Sequence, residues 1–183
     1  MRSSLTLCVL LLLVGLMFAG CATTPQTAED RIQLDSKVEQ TIAEAQEKDP
    51  SLKTFFDEAA GCAVFPTVGK GAIGIGGAYG RGALCEAGKP VGYCTLTQAS
   101  IGFALGGQTY TEIIFFETDT AVTRFKSGNF SFAAQATAVA LKSGAGANAK
   151  YADGVSVFTL GESGLMYEAS VGGQKFSYEP KTP

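Results

Sequence analysis

The period of the apolar positions changes along the chain. Leu5 to Phe18 is an apolar run behind Arg2. It is too short to cross a bilayer core of about 30 Å as a helix, which takes roughly 20 apolar residues, and it reads as a cleaved export signal over residues 1–20. From Ala28 to Lys48 the candidate face is Ile32, Asp35, Val38, Ile42 and Ala45. The spacing of three or four predicts a helix, and a stripe so thin, with one charged member, predicts that it lies on a domain surface. Asp49-Pro50 offers an N-cap and a first-turn proline, and Leu52, Phe55, Phe56, Ala59 and Ala60 predict a second, better buried helix that ends at Gly61.

After Gly61 the alternation becomes strand-like. Cys62 to Phe65 runs into Pro66, and Ala72, Ile73, Ile75, Ala78 and Tyr79 follow among seven glycines between Gly69 and Gly82. Glycine lowers strand propensity, so this density predicts bends, bulges or close backbone approach. Further strands are expected at Val91 to Thr97, Ala99 to Gly107, Tyr110 to Glu117, Ser131 to Leu141, Gly154 to Leu160 and Leu165 to Phe176. Thr118 or Asp119 caps a short helix through Phe125 that Gly128 ends, and Lys142 to Lys150 reads as a mobile loop. The fold class is α+β: N-terminal helices packed on a strongly bent, Gly-rich antiparallel sheet that approaches a barrel. Residues 22 to 27 are small and polar, a flexible spacer before a single domain at 28–183.

Composition narrows the chemistry. The chain has no histidine and no tryptophan, which removes His-dependent catalytic triads and His metal ligands. No G-x-S-x-G elbow or carboxylate pair stands in their place, so an enzyme ranks last among the functions and no cofactor or metal is expected. The net charge of −3 gives no reason to expect a nucleic acid. Gly69-Lys-Gly71-Ala-Ile-Gly74 matches G-x-G-x-x-G, but it opens a strand-like stretch rather than a helix, so a nucleotide is not expected either. Of five cysteines, Cys62, Cys85 and Cys94 lie in the domain. Cys85 and Cys94 flank a turn-rich segment, and a hairpin there is expected to bring them together as a disulfide, leaving Cys62 a buried, inert thiol.

Phe18-Ala-Gly-Cys21 resembles the lipobox of bacterial lipoproteins, although Phe18 stands where that family usually has Leu. The resemblance implies a mature chain beginning at Cys21, with acyl chains on that cysteine and a lipidated linker over 21–27. Two or more chains hold a protein stably at a membrane. Ala22, where Asp is absent, implies sorting to the periplasmic face of the outer membrane.

Several ordered segments resemble the SYLF domain, a family of lipid-binding and, in eukaryotes, actin-regulating modules. Cys62-Ala-Val-Phe-Pro66 is similar to its apolar-Phe-Pro segment, and Lys70 to Gly82 to its Lys-containing Gly-rich strand. Ile101-Gly-Phe-Ala-Leu-Gly-Gly-Gln108 is similar to its Gly-x-x-x-Gly-x-Gln segment, and Phe125-Lys-Ser-Gly-Asn-Phe130 to the stretch before its next strand. The resemblance spans about residues 35 to 178. It departs at Val91-Gly-Tyr-Cys94, where the family has Trp-Ser-x-Pro, and near Leu141 to Gly146, where a Gly-Pro is missing. It implies a non-catalytic, membrane-tethered envelope lipoprotein that binds phospholipid or a membrane surface. The alternative is a structural or assembly lipoprotein acting through an envelope protein partner. Actin is not an expected partner of an exported bacterial chain. On the family's lipid role, Lys70, Tyr79, Arg81, Lys89 and Tyr93 are candidates for an anionic head-group patch; read from the residues alone, the cations are solvated strand ends. Phe103, Phe115, Phe116, Phe130, Phe132 and Phe158 either line an apolar cavity or are core.

Overall fold

The computed structural model describes residue 25 and residues 27–128, 131–132, 138–140 and 144–181; the expected export signal, Cys21 and most of the expected linker lie outside them. The described elements are α1 (Ala28–Lys48), α2 (Leu52–Glu58), β1 (Gly61–Glu86), β2 (Lys89–Phe116), α3 (Asp119–Lys126), β3 (Ser131–Phe132), β4 (Ala138–Ala140), α4 (Ala145–Asn148) and β5 (Val155–Pro180). The α+β class holds. Three very long strands replace the many short ones expected: glycines, Pro66 and turn-forming residues that punctuate the sequence bend the strands without ending them. α4 forms inside the stretch expected to be a loop.

The sheet order is β1-β2-β5-β3, with β4 beside β5. β1, β2, β5 and β3 pair antiparallel, and β4 runs parallel to β5. No pairing among the described residues closes this order into a barrel. Ala87 and Gly88, at φ 48° and 73°, make the two-residue turn between β1 and β2, the left-handed pair a tight hairpin requires. Register shifts at Phe65/Val68, Ile73/Ile75, Leu84/Cys85 and Thr109/Thr111 bend the strands. At the first of these bulges the Thr111 hydroxyl donates to the Pro66 carbonyl at 2.8 Å, satisfying an acceptor the bulge displaces.

The bend is severe enough that β1 approaches itself. A Cβ on Gly82 would run into the Val64 carbonyl and the Phe65 ring, so no side chain fits where the two ends of the strand cross. Alternation then splits the core into two faces. Ala63, Phe65, Leu84, Cys94, Leu96, Ile114, Phe116, Val157 and Phe176 form one cluster with Ala121, Val122 and Phe125 of α3. Phe125 stacks against Phe116 and Phe176, with ring centroids 4.9 and 5.3 Å away, so α3 plugs the concave side and ties both ends of the sheet together. Cys62, Val64, Ala83, Cys85, Ile113, Phe115, Phe158 and Leu160 point the other way, against Val38 and Ala45 of α1 and Leu52 and Phe55 of α2.

α1 starts at Thr27, whose hydroxyl caps the Asp30 N–H at 3.1 Å. Its buried residues are Val38, Thr41 and Ala45, while Ile32 is exposed, so the expected stripe is correct only in its C-terminal half. Asp35, the charged member of that stripe, accepts from Lys181 at 2.7 Å and from the Tyr93 hydroxyl at 3.4 Å. Asp49 is buried and holds α2 and α4 together. Its carboxylate accepts from the Ser51 N–H and hydroxyl and from the Gly146 N–H, at 3.0, 2.6 and 2.7 Å. Burial pushes its pKa up, but these donors hold it below the usual carboxylate value.

The expected disulfide between Cys85 and Cys94 is overturned. The turn is centred on Ala87–Gly88, so Cys85 lies opposite Pro90, and the bulge between Leu84 and Cys85 shifts the register so that Cys94 lies opposite Gly82. The two thiols also belong to opposite faces, Cys85 under α1 and α2 and Cys94 under α3. All three described cysteines are free thiols. Phe115, Phe116 and Phe158 are core residues; Phe130 and the side chains of Phe103 and Phe132 lie outside what the structure describes.

Candidate functional site: an exposed apolar face on the Gly-rich strand

Through its middle, β1 turns Gly69, Gly71, Ile73, Ile75, Gly77, Tyr79 and Arg81 to solvent and Lys70, Ala72, Gly76, Ala78 and Gly80 inward. The glycines of the two sides serve different ends. A Cβ on Gly76 would lie 2.5 Å from the Ser100 hydroxyl oxygen and 2.9 Å from the Ala72 Cβ, so the interior demands glycine there. On the outer side a Cβ would have nothing within 4 Å at Gly69, and only a carbonyl oxygen at 3.9 Å at Gly71 and 3.4 Å at Gly77. Packing does not require those glycines, and they leave the outer face flat.

Out of that flat face stand Ile73, 85% exposed, and Ile75, 73% exposed, with Leu105, 60% exposed, directly opposite Ile73 on β2. Single exposed apolar residues are ordinary, but a cross-strand cluster of three so fully exposed is not. Polar groups border it. The Arg81 guanidinium donates to the Tyr79 hydroxyl at 3.2 Å, and Lys175, exposed on β5, sits in the same row as Tyr79 through Thr97. Between this end of β1 and α1 lies a cleft of about 320 Å³ whose wall includes Lys37, Thr67, Tyr79 and Arg81, with Asp30 its acidic member.

The five residues named as a head-group patch are not one patch. Tyr79 and Arg81 are together on the outer face. Lys89 is exposed at the β1–β2 turn, at the far end of the hairpin. Lys70 points to the interior and is only 7% exposed. Tyr93 is buried, with its ring beneath the Lys181 ammonium at 5.3 Å and the Arg31 guanidinium at 5.5 Å, and it fastens α1 to the end of β5. The alternation of Lys70 with Tyr79 and Arg81 was readable in the sequence, but it becomes decisive only once the strand is known to run unbroken through Gly69 to Gly82.

Sequence reading also missed a buried polar contact. Glu112 and Gln174 are distant in register yet meet where the sheet bends, the Gln174 amide donating to the Glu112 carboxyl at 2.9 Å. Burial pushes the Glu112 pKa up to about 7 against the opposing hydrogen bond from Gln174. Gln98 and Ser100 are buried on the same concave side.

Comparison with known proteins adds two findings. Beta cell expansion factor A of Aeromonas veronii is 28% identical over 155 residues, which covers 83% of this chain and 59% of that protein. The chain thus spans about 59% of the length of the curated relative it matches. Residues 97–182 match the family model described as "Ysc84: Las17-binding protein actin regulator", a stretch running from β2 through β5 that leaves out the Gly-rich strand β1. Over residues 97–182 the chain is therefore similar to the Ysc84, or SYLF, family.

Proposed function

We propose that this protein is a non-catalytic membrane-binding module, a single domain over residues 28–183 that seats the outer face of β1 and β2 on a phospholipid surface. In this reading acyl chains on Cys21 hold it at the periplasmic face of the outer membrane, and the domain makes a second contact of its own. The observation that carries the reading is the exposed trio Ile73, Ile75 and Leu105. Burying one Ile or Leu side chain is worth about 1.5–3 kcal/mol, so three supply enough to offset part of the cost of association. Tyr79 at the border suits the interface, where aromatic rings with one polar end collect. Arg81 and Lys175 stand where lipid phosphates would lie, each contributing about 1 kcal/mol near an anionic surface. The actin-regulating role in the family description has no such support here, and the reading does not extend to it.

Co-sedimentation of a chain beginning at residue 22 with neutral and anionic vesicles tests this reading. Binding to both is expected, tighter to anionic vesicles and weakened by salt on those alone. Arg81→Ala combined with Lys175→Ala should weaken anionic-vesicle binding by roughly 10- to 30-fold at low salt and leave neutral-vesicle binding unchanged. Lys89→Ala should change neither. Absence of binding to any vesicle, with one stoichiometric envelope protein recovered on the same face, would favour the structural or assembly alternative.

A further inference from the structure

Cys62 and Cys85 stand near opposite ends of β1, but its bend brings them to the same face, in the core beneath α1 and α2. The neighbouring backbone is equally close: a Cβ on Gly61 would lie 3.0 Å from the Cys85 carbonyl oxygen. Both cysteines line one cavity of about 390 Å³, bordered by Ile42 and Gln46 of α1, Phe56 of α2 and the Ala87–Gly88 turn. The two thiols share a hydrogen bond. Cys94 is excluded from this pair because it faces the α3 side of the sheet.

We propose that Cys62 and Cys85 form a disulfide that staples the two ends of β1, and that the cavity is the route by which a small-molecule disulfide reaches them. The hydrogen bond from Cys62 lowers the Cys85 pKa against the effect of burial, whereas Cys62 and Cys94 are both pushed well up. Cys85 is therefore the attacking thiolate. Its sulfur displaces one thiolate from the small-molecule disulfide, breaking that S–S bond and forming a mixed disulfide. Cys62 then loses its proton, and its sulfur attacks the Cys85 sulfur and expels the second small thiolate. The two cysteines give up two electrons and two protons, and the small disulfide becomes two thiols. Cys94, sealed in the other core, remains reduced.

The full chain, folded, is incubated with oxidised glutathione, its remaining thiols are then blocked with iodoacetamide in denaturant, and it is cut with trypsin and a glutamyl endopeptidase. Cleavage after Arg81 and Glu86 separates Cys85 from Cys94. The expected product joins the Cys62 peptide to the Cys85 peptide, is released by dithiothreitol, and leaves Cys94 alkylated. Oxidation should raise the unfolding temperature of the wild type by about 10 °C and leave that of Cys62→Ser unmoved. Alkylation of both Cys62 and Cys85 after prolonged incubation, a Cys85–Cys94 link, or a Cys62–Cys85 link that forms only in urea would each overturn the proposal.

Discussion

Replacing both Ile73 and Ile75 with Ser is expected to weaken vesicle binding by about 100-fold or more, with little change in thermal unfolding. The two effects separate because these side chains contribute almost nothing to the folded core, at 85% and 73% exposed. If they enter the membrane, each loses roughly 1.5–3 kcal/mol of transfer free energy on truncation, and about 2.7 kcal/mol in total is already a factor of 100. The substitution adds no charge, so the electrostatic part of binding stays in place and the loss reports apolar insertion alone. A vesicle titration of both proteins at matched salt provides the comparison, with unfolding temperature as the control for folding. A change of less than threefold would place the membrane contact elsewhere.

The second large effect concerns stability and pH. Glu112 is buried, and its pKa is raised to about 7 from an ordinary value of 4.5. Below pH 4.5 the group is neutral in both the folded and unfolded chain and makes no difference to stability. Between pH 4.5 and 7 the unfolded chain ionises while the folded chain holds its proton, so stability falls with rising pH, by a total of about 3 kcal/mol, and levels off above 7. Glu112→Gln keeps a neutral group of the same shape and removes the titration. Urea unfolding at pH 4.5 and pH 8 should therefore show the variant gaining about 3 kcal/mol on the wild type between the two. Asp49, with a lowered pKa, acts in the opposite direction on acidification, but it is common to both proteins and cancels in their difference. A difference that does not change with pH would mean that Glu112 ionises freely in the folded chain.

Local signals in the sequence read well, and those that depend on three-dimensional closure did not. The 21-residue α1, the short α3 behind Thr118 and the change of period at Gly61 are consequences of capping and alternation, and each forms. Glycine density correctly pointed to bending and close backbone approach, which Gly76 and Gly82 now show in detail. The same density suggested strand ends, because a bulge and a turn use similar residues; only pairing along the whole length of β2 reveals that β1 continues for 26 residues. The disulfide assignment failed on one turn and one bulge. A hairpin centred near residue 89 would have joined Cys85 to Cys94, whereas the turn at 87–88 sets Cys85 opposite Pro90 and the bulge between Leu84 and Cys85 then turns Cys94 to the other face. Ile73 and Ile75 look like core in a list of apolar residues, and nothing in their spacing says that the side they occupy lacks a covering layer. The Glu112–Gln174 contact joins positions 62 apart through a bend that no local pattern records.

The most direct test uses the absence of tryptophan from the chain. Ile75→Trp installs a single fluorophore in the middle of the exposed face, and its emission is followed as vesicles containing lipids brominated on their acyl chains are added. Insertion of this face predicts a blue-shifted emission that brominated lipid quenches and unbrominated lipid does not. Vesicles that bind the protein but leave the emission of Trp at position 75 neither shifted nor quenched would contradict the account.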